Sequence, residues 1–194
     1  MPGHAQFTMI NSIKHTAPST HEGIPSLWIC RYAQYIPSGG LVLDLACGNG
    51  RHTRWLAANN WKVCAVDRDA AALANLQHLP GVSTKIIDLE KDIWPFQGYR
   101  FDGIIVSRYL HRPLFPHLLN ALKTHGVLIY ETFMDGNERY GRPRNPDFLL
   151  RSNELLENFF PHLTIIAFEQ GEFQEPDTAV VQRICAISEE RGNC

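Results

Sequence analysis

The stretch 41–50, LVLDLACGNG, constrains this 194-residue chain more than any other segment. An apolar run typical of a strand leads into a turn with two glycines, and a helical pattern, RHTRWLAA, begins at Arg51. Glycine lets the bare backbone approach a ligand closely. The N-terminus of the following helix presents unpaired N–H groups to an acceptor. A strand, a glycine turn and a helix in this order predict a ligand site.

The acid Asp44 indicates which ligand the turn receives. A dinucleotide site uses G-x-G-x-x-G to receive a pyrophosphate, but here the third glycine position holds Thr53. A carboxylate at Asp44 would repel a diphosphate and attract an ammonium group. The pattern therefore favours a ligand with a cation near the turn, and S-adenosylmethionine fits, with its α-amino group, its sulfonium and its adenosine. An NAD(P)-dependent oxidoreductase is the alternative that these two residues disfavour.

The segment 44–50, DLACGNG, resembles the first motif, D-x-G-x-G-x-G, of the class I S-adenosylmethionine-dependent methyltransferases. Ala46 stands where that motif has its first glycine, so we expect the backbone there to avoid a positive φ. The segment 145–156 resembles small methyltransferases of the tellurite-resistance type.

The resemblance extends over about residues 25–187. It implies an enzyme that uses S-adenosylmethionine and transfers a methyl group in line, and we expect its acceptor to be a small molecule. A non-catalytic S-adenosylmethionine-binding regulatory or partner subunit stays an alternative, because a binding fold does not prove turnover.

Apolar runs alternate with helical patterns along the chain, which predicts a parallel sheet with helices on both faces. The expected helices are 26–36, 51–59, 69–78, 110–123 and 152–160, the last with Ser152 as N-cap. The expected strands are 41–46, 62–66, 83–87, 101–106, 126–132, 163–168 and 180–187. No helix separates the last two strands, so one antiparallel strand should lie near the edge. The predicted class is α/β, a Rossmann-like, doubly wound, mostly parallel sheet of seven strands.

Size and composition limit the partners and the compartment. The length suits one domain over 20–188, with a flexible tail at 1–19 and a short tail at 189–194. A net charge of −2 without a basic run argues against nucleic acid as the substrate. Five cysteines without a C-x-x-C pair favour a reducing cytoplasm. No apolar run approaches the ~20 residues that a membrane helix needs, and the sequence leaves the oligomeric state open.

The cofactor residues are predicted from the ends of the strands, because ligands of open α/β sheets bind outside the carboxyl ends. Asp67 follows the glycine turn at the distance where an acid accepts both ribose hydroxyls. The resemblance implies that Asp88 accepts the adenine amino group and that the N–H of Leu89 donates to a ring nitrogen. The predicted cofactor set is Asp44, Ala46, Cys47, Gly48, Asn49, Gly50, Asp67, Arg68, Asp88, Leu89, Ser107 and Arg108.

The acceptor side is expected after the fourth strand. Tyr109 can offer an aromatic face to the sulfonium, His111 can act as a base, and Arg112 can hold an anionic acceptor. Packing roles for these side chains are the alternative. The connection 133–151 is long enough for a lid, and its arginines at 139, 142 and 144 either recognise an acidic acceptor or face solvent. The spacing of the histidines does not suggest a metal site.

Overall fold

Seven strands form one sheet in this computed structural model, which describes residues 23–174 and 178–190. In chain order the strands are β1 (Leu41–Leu45), β2 (Lys62–Asp67), β3 (Val82–Ile86), β4 (Phe101–Ser107), β5 (Leu122–Phe133), β6 (Thr164–Phe173) and β7 (Ala179–Ile187). Their order across the sheet is β3-β2-β1-β4-β5-β7-β6. The first five pair in parallel, and β7 runs antiparallel to both β5 and β6. The predicted fold class is confirmed.

Five α-helices cover the two faces of this sheet in the described part of the chain. They are α1 (Leu27–Tyr32), α2 (Arg51–Ala58), α3 (Ala70–Ala74), α4 (Phe115–Ala121) and α5 (Glu154–Phe159). Successive strand residues point to opposite faces, so neighbours such as Val42 and Leu43 enter different apolar clusters. One cluster contains side chains of α1, α2 and α3, and the other contains side chains of α4 and α5. Both faces are therefore buried, as the apolar strands predict.

The helices are shorter than the sequence pattern predicts, and the one expected over 26–36 is α1 followed by a 3₁₀ turn at Ala33–Tyr35. The helix expected over 69–78 ends at Ala74, because the following turns use the N–H of Leu76 and Leu79 for bonds to carbonyls only three residues back. The helix expected over 110–123 is a 3₁₀ turn at Arg112–Leu114 followed by α4. Prolines 113 and 116 stand at the starts of these two pieces, where a missing N–H is tolerated.

The end of the chain also differs in detail from the prediction. Ser152 does not cap α5, since Asn153 occupies the cap position at φ 62° and the Ser152 hydroxyl accepts a bond from Gln170. The strand β6 continues to Phe173 instead of ending at residue 168. The predicted flexible tail at 1–19 lies outside the described residues. No helix in the described ranges is long and apolar enough to cross a membrane.

Candidate active site

The glycine turn lies between β1 and α2, at the carboxyl edge of the sheet. Its first residue is Ala46, which takes a φ of +53°, so the expectation that alanine would keep this backbone out of the left-handed region is wrong. The strand-to-helix turn requires that conformation, and alanine adopts it at a cost of about 1–2 kcal/mol.

The two glycines of the turn have different neighbours. A Cβ on Gly50 would stand 2.5 Å from Leu76, so this glycine allows α2 to pack against the turn that follows α3. Gly48 also has a positive φ, +53°, but no described atom lies within 4 Å of the place where its Cβ would stand. The backbone of Gly48 therefore borders open space, as a ligand-binding turn needs.

Asp67, at the end of β2, holds the turn in place. Its Oδ2 accepts the N–H of Gly48 at 2.7 Å, and its Oδ1 accepts the N–H of Asp69 at 2.9 Å. A carboxylate has about four acceptor positions, so each oxygen keeps capacity for one more donor. The side chain is half-buried and lines a cavity of about 440 Å³. This geometry leaves Asp67 able to accept hydroxyl groups of a bound sugar.

Asp44 is buried more deeply than we expect for a carboxylate that pairs directly with a ligand's ammonium group. The side chain is 1% exposed, and its Oδ2 accepts the hydroxyl of Thr53 at 2.5 Å. Burial raises its pKa from 3.8 to about 6, although the bonds from Thr53 act in the opposite direction. The carboxylate anchors the first turn of α2, and it also borders a second cavity, of about 510 Å³.

The two cavities meet at Ala46 and Arg108, which line both. The first contains the residues from the ends of β2 and β3, and the second contains the glycine turn and the start of α2. Of the predicted cofactor set, Ala46, Asp67, Arg68, Asp88, Leu89 and Arg108 line the first cavity, and Asp44, Ala46, Cys47, Gly48, Asn49, Ser107 and Arg108 line the second. Gly50 lines neither. The structure thus places eleven of the twelve predicted cofactor residues around two adjoining cavities, which together are called the cleft.

A polar cluster closes the bottom of the second cavity. Arg51 donates to the hydroxyl of Ser107 at 3.0 Å, and Ser107 also contacts the buried Glu131 at 3.4 Å. The Nε2 of His52 accepts the N–H of Ser26 at 3.1 Å, and burial lowers the pKa of His52 to about 3. His52 is therefore a neutral structural residue in the first turn of α2. Glu131, which the sequence did not single out, contacts the site through Ser107 and lines neither cavity.

Tyr109 lines the first cavity and has a buried hydroxyl. Among the described residues this hydroxyl has no hydrogen-bond partner. Burial raises its pKa, and the charges of Glu90 and Asp88 raise it further. The hydroxyl consequently stays protonated. Its oxygen has almost no accessible surface, so the contribution of Tyr109 to the cavity wall comes from the rest of the side chain.

The acceptor-side predictions have mixed outcomes. Arg112 donates to both oxygens of Glu154, at 2.5 and 3.0 Å, and to the carbonyls of Asp147 and Leu149. These contacts argue against the prediction that Arg112 holds an anionic acceptor, because its N–H groups already bind the connection between β5 and α5. His111 is half-buried at the start of the 3₁₀ turn and is not among the residues lining the two cavities.

The long connection between β5 and α5 forms a wall of the first cavity through Pro143 and Phe148. Its predicted arginines at positions 139, 142 and 144 do not line that cavity. Arg139 instead lies 5.4 Å from the ring of Tyr140 and pairs with Glu172 at 3.8 Å. Thr132, at the end of β5, is a further wall residue that the sequence reasoning missed. The sequence signal that could have identified Thr132 is a polar residue at the end of an apolar run.

Known proteins resemble this chain in part of its sequence and in its fold. Residues 42–126 match the model of a methyltransferase domain. A putative methyltransferase, YqeM of Bacillus subtilis, is 27% identical over 107 residues, which are 50% of this chain and 43% of YqeM. The chain spans less than half the length of the curated relatives it matches.

Two solved structures show the likeness in three dimensions. TehB from Haemophilus influenzae has a TM-score of 0.67 and 20% identity, over 83% of this chain and 61% of TehB. A 1,6-didemethyltoxoflavin-N1-methyltransferase from Burkholderia thailandensis was solved with its substrate and S-adenosylhomocysteine bound. It has a TM-score of 0.61 and 19% identity, over 84% of this chain and 77% of that protein. At these identities the structures establish a shared fold.

Proposed function

We propose that this chain, which has the fold of the class I S-adenosylmethionine-dependent methyltransferases and a methyltransferase domain at 42–126, methylates a small-molecule acceptor. The observation that carries the proposal is the open backbone of Gly48 beside the carboxylate of Asp67. A nucleoside with an amino-acid tail needs both features. It also needs a cleft with adjoining sugar and amino-acid regions, and the two joined cavities provide that shape.

Each part of the cofactor has matching residues in the cleft. We assign the ribose hydroxyls to Asp67 and the adenine to the carboxylate of Asp88 and the backbone N–H of Leu89, with Arg68 alongside. We assign the amino-acid end to the glycine turn and Ser107. The side chain of Tyr109 forms part of the wall beside the nucleoside. Asp44 supplies negative charge beneath the amino-acid end, where an ammonium would favour its ionised form.

The chemistry requires mainly alignment. A lone pair of the acceptor attacks the methyl carbon while the carbon–sulfur bond breaks, and the sulfur keeps that electron pair as a neutral thioether. The chain's contribution is to hold the two partners at about 3 Å and to exclude water. Leu110, Phe133, Pro143 and Phe148 provide apolar walls for this on the acceptor side.

We also propose that His111 removes a proton from the acceptor where the acceptor must lose one. If the imidazole takes that proton, His111→Asn lowers turnover and leaves the affinity for S-adenosylhomocysteine unchanged. We also propose a cytoplasmic location, since the four described cysteines are free thiols.

A thermal-shift and calorimetry comparison tests the cofactor assignment. S-adenosylmethionine and S-adenosylhomocysteine should raise the melting temperature, and NAD should not, because a ligand that binds the native state stabilises it. Asp67→Ala should lower the affinity for S-adenosylhomocysteine by about tenfold or more, because charge-assisted hydrogen bonds to the ribose are lost. Asp135→Ala is a control at an exposed position that lines neither cavity. Stabilisation by NAD instead, or unchanged affinity in Asp67→Ala, would refute the assignment.

A further inference from the structure

We infer that the methyl acceptor is an aromatic acid, a flat apolar ring with one anionic group, recognised by Arg108. This inference rests on the proposed function, since it concerns the second substrate of the same cleft. It begins from the unequal chemistry of the two halves of the first cavity.

The carboxylates of that cavity belong to its cofactor half. Asp67 ends β2, and Asp88 and Glu90 follow β3. The opposite half is formed by Leu110, Thr132, Phe133, Pro143 and Phe148. Thr132 is 2% exposed and contributes the only polar side chain of those five. Apolar walls with few polar groups are typical of sites for small organic ligands, and aromatic walls favour a flat ring.

Arg108 provides the charge on this side. Its guanidinium carbon lies 5.9 Å from the centre of the Phe133 ring, so it stands against the acceptor wall. No carboxylate in the described ranges forms an ion pair with it. By contrast, Arg112 is paired with Glu154, and Arg183 is paired with Glu131. Arg108 is therefore a cation with its N–H edges available to a ligand.

The backbone holds Arg108 in this position. Its φ is +55°, an unfavourable conformation for a long side chain, and its N–H donates to the carbonyl of Glu131 at 2.9 Å. Such strain persists where the surrounding structure over-determines it, and it concentrates at functional sites. A guanidinium beside an aromatic ring still presents a planar fork that fits a carboxylate. The ring of the acceptor would lie against Phe133 or Phe148, with its anionic group at Arg108.

A binding experiment with matched ligands tests this inference. Benzoate, 4-hydroxybenzoate and indole-3-acetate are each compared with the corresponding neutral amide, by calorimetry or ligand-observed NMR, with S-adenosylhomocysteine at saturation. The protein variants are wild type, Arg108→Met and the control Arg100→Met. Arg100 stands just before the opposite end of β4, and its side chain donates to the carbonyl of Tyr99.

We expect wild type and Arg100→Met to bind at least one acid about tenfold more tightly than its amide, the usual size of a charge-assisted bond. Arg108→Met should lose that preference, although the sequence also predicts Arg108 as a cofactor residue, so its affinity for S-adenosylhomocysteine is measured separately. Acids that bind no better than amides, or an acid preference that survives in Arg108→Met, would overturn the inference. A loss of S-adenosylhomocysteine affinity of about tenfold in Arg108→Met would assign this arginine to the cofactor and also overturn it. Wild type that does not bind S-adenosylhomocysteine would instead refute the proposed function.

Discussion

Asp44 shows how the burial of a single carboxylate can lower stability. It is buried against Thr53, and its pKa lies above that of an exposed aspartate. In the folded state the carboxyl group therefore keeps its proton between pH 3.8 and about 6, whereas the unfolded chain releases it. Because the native state binds more protons in that range, the contribution of this group to stability falls as the pH rises through it.

Asp44→Asn should remove this penalty. We expect the variant to gain on the order of 1–3 kcal/mol over wild type at pH 7, with the gain absent near pH 4. Urea unfolding at a series of pH values measures the difference, and subtracting wild type from variant cancels the other titrating groups. The same substitution should lower the affinity for S-adenosylhomocysteine, since it removes the negative charge that we propose lies beneath the ligand's ammonium group. A gain independent of pH would mean that Asp44 is not the titrating group.

Ala46 is the second residue whose strain is open to measurement. Its φ of +53° disfavours any residue with a Cβ, so Ala46→Gly should raise the free energy of unfolding by roughly 0.5–1 kcal/mol. Ala57→Gly, inside α2, is the matched control and should lower it by about 1 kcal/mol. Denaturant unfolding compares both with wild type. Destabilisation by Ala46→Gly would show that its methyl group makes compensating contacts.

At the scale of elements, the turn between β1 and α2 divides two tasks between its glycines. Gly50 lets α2 approach Leu76, and Gly48 borders the cleft. We expect Gly50→Ala to destabilise the fold by about 2 kcal/mol or more, because a clash with Leu76 adds to the strain of its positive φ. Gly48→Ala should cost only the backbone strain, about 1–2 kcal/mol, and should instead abolish most S-adenosylhomocysteine binding.

Measuring unfolding and binding on the same two variants separates these tasks. We expect Gly50→Ala to lose more unfolding free energy than Gly48→Ala. We expect Gly48→Ala to lose more affinity for S-adenosylhomocysteine than its loss of stability explains. Ligand affinity is measured below the unfolding transition of each variant, so that the folded fraction does not affect it. Equal effects of the two substitutions on both quantities would contradict the division.

The elements also show what the sequence could predict and why the remainder escaped it. The strands and the sheet class follow from apolar periodicity and from turn residues, which are local signals. The ends of α3 and α4 do not, because they depend on contacts such as Leu76 against Gly50 and on two prolines that start new pieces. Arg112 was assigned to the acceptor from its position alone. Its actual partner, Glu154, is 42 residues away, and no local pattern links the two.

At the scale of the whole molecule, the edge of the sheet explains why distant residues form one site. Parallel pairing of β1 with β2 and β4 places Leu45 beside Val66 and Val106. The next residues of each strand or turn, including Ala46, Asp67 and Ser107, must then emerge at the same edge. Recurring polar residues after apolar runs therefore predict which side chains meet at this edge of the sheet. The acceptor half depends on a long connection, whose path the sequence does not encode locally.

This division predicts where a bound cofactor changes the dynamics of the molecule. Saturating S-adenosylhomocysteine at about 100 times its dissociation constant should stabilise the native state by about 2.7 kcal/mol. Amide hydrogen exchange should slow most at 46–50, 67–69, 88–90 and 107–109, which end or follow β1–β4. Residues at the opposite edge, such as 98–100, should change only as far as global unfolding contributes. Protection spread evenly over both edges would mean that the ligand acts through overall stability and does not occupy the cleft. Adding an aromatic acid should extend protection to 143–148 and leave the pattern at 67–69 unchanged, because only the acceptor half contacts that segment.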